Sequence, residues 1–171
     1  MNADQLKALQ GPVKNLYREN PDRAGQTLRA TGTLQGDRIV CMVDTFQGPV
    51  PAGLHPATGG DGKDACSGDM LLEALVGCAG VTLKAVATAM NIAIRSGTIH
   101  AEGNMDFRGT LGVSKEVPVG FQTIRLRFDL DTDATPEMLQ TLVKLTERYC
   151  VVYQTLAKPA ALSAECRVLK A

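Results

Sequence analysis

Met70-Leu-Leu-Glu-Ala-Leu-Val-Gly-Cys78-Ala-Gly-Val-Thr-Leu-Lys-Ala-Val-Ala-Thr-Ala-Met90 is apolar on nearly every side of a helical wheel. Ser67 offers a hydroxyl cap ahead of it, and Asp69 puts a negative charge in the first turn, where unpaired amides favour one. A helix that is apolar all round must pack on more than one surface, so the run predicts a long buried central helix. Glu73, Lys84, two glycines and two threonines interrupt it, which argues for a protein core over a bilayer. Gly77 and Gly80 lower helix propensity, but with Ala79 they let neighbouring backbone approach closely.

Outward from this helix the period of the sequence changes. On the amino-terminal side, residues 47–68 are dominated by Gly, Pro and Asp and are too long for a plain connection, predicting a functional or interface loop. Residues 27–33 and 38–43 read as two strands around Gln35-Gly36-Asp37, with Ile39, Cys41 and Val43 on one face. Residues 1–25 are polar and weakly helical, broken by Gly11-Pro12 and Pro21. They are expected to form an extension or helical arm ahead of a single domain over residues 26–171.

On the carboxy-terminal side, Ile99, Ala101, Gly103, Met105 and Phe107 alternate with polar residues, as do Ile124, Leu126 and Phe128. Thr135-Pro136-Glu137 opens a second helix with a cap, a first-turn proline and an acid. That helix is expected to run to Lys158-Pro159. Leu162, Ala164, Cys166 and Val168 then alternate in a final strand. The order predicts an α+β fold of antiparallel sheets with a central helix, not a parallel array.

The 18 basic and 18 acidic residues cancel, leaving no field to attract nucleic acid or an anionic membrane. Trp is absent and only four Phe and three Tyr are present, too few for base stacking along a single strand. The first eight residues lack the pattern of a signal peptide. Five widely spaced cysteines without a Cys-x-x-Cys fit a reducing cytosol better than a disulfide scaffold. The expected location is therefore cytoplasmic. With His55 and His100 the only histidines, a structural zinc site has poor material. Gly59-Gly-Asp-Gly-Lys63 lacks the first glycine and final hydroxyl of a phosphate loop. Asp129, Asp131 and Asp133 space like a calcium loop, but Ala134 and Gln140 stand where glycine and glutamate are required.

Free cysteine is commonly a buried filler. Cys41 and Cys166, on apolar strand faces, read as core residues. Cys66 at a helix start reads as inert, since nothing pairs with it by pattern. For Cys78, composition and periodicity leave filler and reagent both open.

Two segments change that reading. Asp69-Met-Leu-Leu-Glu-Ala-Leu-Val-Gly-Cys78-Ala-Gly-Val-Thr-Leu83 and Glu147-Arg-Tyr-Cys150-Val-Val-Tyr-Gln-Thr-Leu156 together resemble the osmotically inducible/organic-hydroperoxide-resistance (OsmC/Ohr-like) family. Residues 105–113 also look like one branch of it, and the resemblance spans residues 26–169. It implies an intertwined homodimer with sites at the interface, an organic hydroperoxide or hydrogen peroxide as substrate, and an external dithiol as reductant. No cofactor or metal is implied. Cys78 would be the attacking thiolate and Cys150 the resolving thiol. The family assists its thiolate with an arginine held by a carboxylate. Asp69 lies nearest the acid position, and Arg38 and Arg29 are the nearest arginines, with Arg148 beside Cys150. At about 100° per residue, Asp69 faces away from Cys78 and would organise an arginine or a loop, not touch the thiol. A non-catalytic redox-sensing or ligand-binding module on the same fold is the competing expectation.

Overall fold

Two of the aspartates that space like a calcium loop end a long hairpin, and that hairpin carries one half of the molecule. The computed structural model describes residues 1–34 and 36–168. Strand β5 (Ile94–Met105) pairs antiparallel with β6 (Phe121–Thr132). Ile99 faces Phe128, Ala101 faces Leu126 and Gly103 faces Ile124, so the apolar halves of both alternations share one face. On the other face Arg127 pairs His100 and Arg125 pairs Glu102 in register. Arg95 bonds Asp131 at 2.9 Å and Asp133 at 2.5 Å, while His100 and Arg127 approach Asp129 at 3.1 and 3.2 Å. The three aspartates thus face cationic side chains. A short helix, α3 (Phe107–Thr110), lies in the connection between the strands.

The other sheet has four strands in the order β1 (Gly32–Leu34), β2 (Val40–Thr45), β3 (Gly48–Gly53) and β4 (Ala65–Cys66). Its first two pairings are antiparallel, but β3 and β4 run parallel, so the sheet is mixed where antiparallel sheets were expected. The first strand is shorter than residues 27–33. The predicted loop over 47–68 holds two strands instead of none. Pro49 and Pro51 hid β3 by suggesting a connection. They fit because β4 joins only at Ala52 and Gly53, leaving the proline edge free of a neighbour that would need their missing N–H.

Helix α1 (Ala3–Glu19) runs unbroken through Gly11 and Pro12, its start fixed by a reciprocal cap between Asn2 and Gln5 at 2.9 Å. The central helix α2 spans Ser67–Ala89. By length and composition alone it could cross a membrane, but here its buried stripe Leu75, Ala79, Leu83 and Ala87 packs inside the fold. Leu83 and Ala87 meet Ile92 and Leu142 in one core, and Leu75 and Ala79 meet Cys150 in another. Lys84 turns its ammonium onto the Ile94 carbonyl at 3.2 Å. Within the single chain only this stripe of α2 is fully buried, and Val81 remains 74% exposed. A helix apolar on every side is here covered on one.

Helix α4 (Pro136–Tyr149) follows the predicted start, its Thr135 cap accepting from the Met138 amide. The single helix expected up to Lys158 is two, because Cys150 adopts φ −73°, ψ 112° and α5 (Val151–Ala157) starts afresh. Two β-branched valines directly after the break weaken continuation, and the Cys150 sulfur accepts the Tyr153 amide at 3.4 Å as a cap. Residues 158–168 contain no strand and are exposed. Alternation assigns faces to a strand, but a strand also needs a partner, and residues 158–168 pair with none of the sheet edges among the described residues. Cys166, expected in a core, is exposed with it.

Candidate functional site

Cys78 lies on α2 one residue before the buried Ala79, half covered, and its thiol meets the break between α4 and α5. There Cys150 is fully buried, packed with Leu75 and Ala79. The two thiols are packed together and each alters the ionisation of the other. The break also frees the first amides of α5, those of Val151 and Val152, and turns them onto the Cys78 sulfur. Thr82, one turn along α2, adds its hydroxyl.

These partners decide which sulfur ionises. Burial alone pushes the Cys78 thiol up. The Val152 amide, the Cys150 thiol, the Val151 amide and the Thr82 hydroxyl together outweigh it and hold the thiol below its ordinary value. Burial pushes Cys150 up, the Tyr153 amide opposes this, and a neighbouring Cys78 thiolate raises it further. The arrangement favours the thiolate on Cys78 and the protonated thiol on Cys150. A thiolate is the nucleophilic form of cysteine, and an adjacent second thiol, on losing its proton, is what a disulfide-forming step needs next.

A groove of about 290 Å³ opens beside this cluster, lined by Leu75, Phe121, Ile124, Leu126, Tyr153 and Leu156 among others. Of the residues of α2, only Leu75 lines it. Leu71 lines a second cavity with His55, Cys66 and Phe107, and Val81 a third with residues of α1. Met70 lines none of the three.

None of the other expected site residues is among the groups that act on the Cys78 thiol in the single chain. Arg38 pairs with Asp64 and is 63% exposed, whereas that carboxylate is only 11% exposed. Asp69 is exposed in the first turn of α2, with no hydrogen bond or ion pair among the described residues. Arg148 lies over the Tyr149 ring, 5.4 Å from its centroid. Sequence reasoning missed Asp64 as the partner of Arg38, the Thr82 hydroxyl and the two valine amides. Thr82 could have been found from its four-residue spacing to Cys78. The amides could not, because their availability depends on where the helix breaks.

The structure is similar to an OsmC-like protein from Mycoplasma pneumoniae, with 16% identity, 78% of this chain and 89% of that chain covered, and a TM-score of 0.65. It is also similar to an organic hydroperoxide resistance protein from Elizabethkingia anophelis, at 14% identity, 78% and 91% coverage and a TM-score of 0.62. An OsmC-like protein of unknown function from Vibrio cholerae matches at 13% identity, 77% and 94% coverage and a TM-score of 0.62. Identities this low speak for the fold alone. A comparison with curated protein sequences finds no match. Among models of known families, the one described as OsmC-like protein matches residues 60–165, a span that includes both Cys78 and Cys150, and the chain belongs to that family.

Proposed function

We propose that this protein is a cytoplasmic thiol-dependent peroxidase that reduces organic hydroperoxides or hydrogen peroxide through Cys78 and Cys150. The observation that carries this reading is the pairing of a Cys78 thiol held toward its ionised form with a Cys150 thiol held protonated beside it. In the cycle, the Cys78 thiolate attacks the distal oxygen of the hydroperoxide and the O–O bond breaks. The leaving alkoxide takes a proton and departs as an alcohol, leaving a sulfenic acid on Cys78. The Cys150 thiol attacks that sulfur, forming a disulfide and releasing water. An external dithiol returns both cysteines to thiols and becomes a disulfide itself.

Arg38 and Asp69 enter this reading through an intertwined homodimer. A second copy would cover the open face of α2 and bring the Arg38–Asp64 pair and the start of a neighbouring α2 toward the thiol. Residues 1–25 are read as an arm on a single domain over 26–171. Turnover of several organic hydroperoxides by reduced, folded protein with a small dithiol tests the activity. Sustained consumption of at least one is expected, and negligible consumption of all of them would defeat it. No arginine is among the groups that act on the Cys78 thiol in the single chain, which favours one alternative: a redox-sensing or small-ligand-binding module whose disulfide forms stoichiometrically, without turnover.

A further inference from the structure

The break at Cys150 has to be held at one angle for the Val151 and Val152 amides to face Cys78. Its own cap, a sulfur accepting one amide at 3.4 Å, is a weak fastening. Two further bonds span the same break. The Tyr153 hydroxyl donates to Glu147 Oε1 at 3.2 Å, and the Gln154 side-chain amide donates to the Glu147 carbonyl at 2.8 Å. In a continuous helix, positions six apart are rotated by about 240° and positions seven apart are separated by about 10 Å along the axis. Neither bond could form there. Both exist because of the break, and both tie the last turn of α4 to the first turn of α5.

We infer that Glu147 and Tyr153, assisted by Gln154, are positioning residues that clamp the first turn of α5 over Cys78 and thereby set the reactivity of its thiol. The inference rests on Cys78 being the attacking residue. Tyr153 is suited to the task because its body packs into the Leu75–Ala79–Cys150 core while its hydroxyl reaches the half-buried Glu147. Burial, then the charge of Glu147, pushes its phenol up, so the donor keeps its proton through the range in which Cys78 ionises. The other surroundings of Cys78 contribute little that titrates. Cys150 is its direct partner, β5 and β6 bring Ala101, Ile124, Leu126 and Phe128 to the cluster, and α1 places Lys14 in the groove beside Thr82 and Tyr149.

The test is the pH profile of Cys78 alkylation by iodoacetamide in reduced full-length protein, read at that cysteine by mass spectrometry. Tyr153→Phe removes the donor and keeps the packing. It should move the midpoint up by about one unit, about a tenfold loss of thiolate near neutral pH. Glu147→Leu should do the same. Glu147→Gln keeps an acceptor oxygen and should stay near the wild-type profile, a rescue that a merely structural role does not predict. Unchanged midpoints in both Tyr153→Phe and Glu147→Leu would overturn the clamp, as would equal shifts in Glu147→Gln and Glu147→Leu. Because alkylation needs no peroxide, an upward shift without hydroperoxide turnover would leave the clamp standing and sink the peroxidase reading alone.

Discussion

At the scale of single residues, the two cysteines differ in what surrounds each sulfur. The thiol of Cys78 is held below its ordinary value and that of Cys150 above it. Raising the pH should therefore expose the Cys78 thiolate first, with Cys150 still protonated across the window between them. Quantitative alkylation across pH should label Cys78 with a midpoint below the ordinary cysteine value of about 8.5, and labelling of Cys150 first would reverse the assignment. In a single turnover, Cys78→Ser should reduce hydroperoxide consumption to the uncatalysed level, because serine forms no sulfenic acid. Cys150→Ser should keep the first oxidation and leave a sulfenic acid that a dimedone-type trap can capture. Equal rates in both variants would end the proposed division of labour. Cys78 and Cys150 were legible because each sits in a recognisable segment. The groups that tune them were not, since backbone amides carry no letter in the sequence, and Asp64, the partner of Arg38, lies in a stretch that reads as loop.

Among the elements, the hairpin of β5 and β6 was the most readable, because strict alternation fixes which side chains share a face. One detail of its packing supplies a sharp test. A Cβ at Gly103 would lie 2.5 Å from the Phe121 ring, and that ring also rests over Gly68 at the start of α2. The ring occupies space that Gly103 leaves open. Gly103→Ala should destabilise the fold by about 1–3 kcal/mol in denaturant titration, and adding Phe121→Ala should remove the clash part of that loss. If Gly103→Ala costs the same in both backgrounds, the ring is not what the glycine accommodates. What the sequence hid at this scale has physical causes. Prolines concealed β3, which tolerates them because β4 joins it only at Ala52 and Gly53. The split between α4 and α5 was concealed because the apolar pattern continues across Cys150 while the backbone does not.

For the whole molecule, the central question is what covers α2. Its exposed Val81, the groove between it and α1, and the unpaired apolar alternation of residues 162–168 are all surfaces that a second copy would use. Sedimentation under excess reductant should show a dimer at low micromolar concentration, and a monomer alone would remove that assembly. A consequence follows from where Cys78 stands on the helix. It precedes the buried Ala79 by one residue, a rotation of about 100°, so its sulfur lies on the shoreline between the covered stripe and the open face. Whatever settles on the open face draws the waterline for this sulfur. Its accessibility would then belong to the assembly more than to the chain, and diluting the protein through its association range should change the rate at which Cys78 meets a bulky alkylating reagent. The rate at Cys166, out on the exposed tail, marks how much of that change comes from the tail leaving a neighbour.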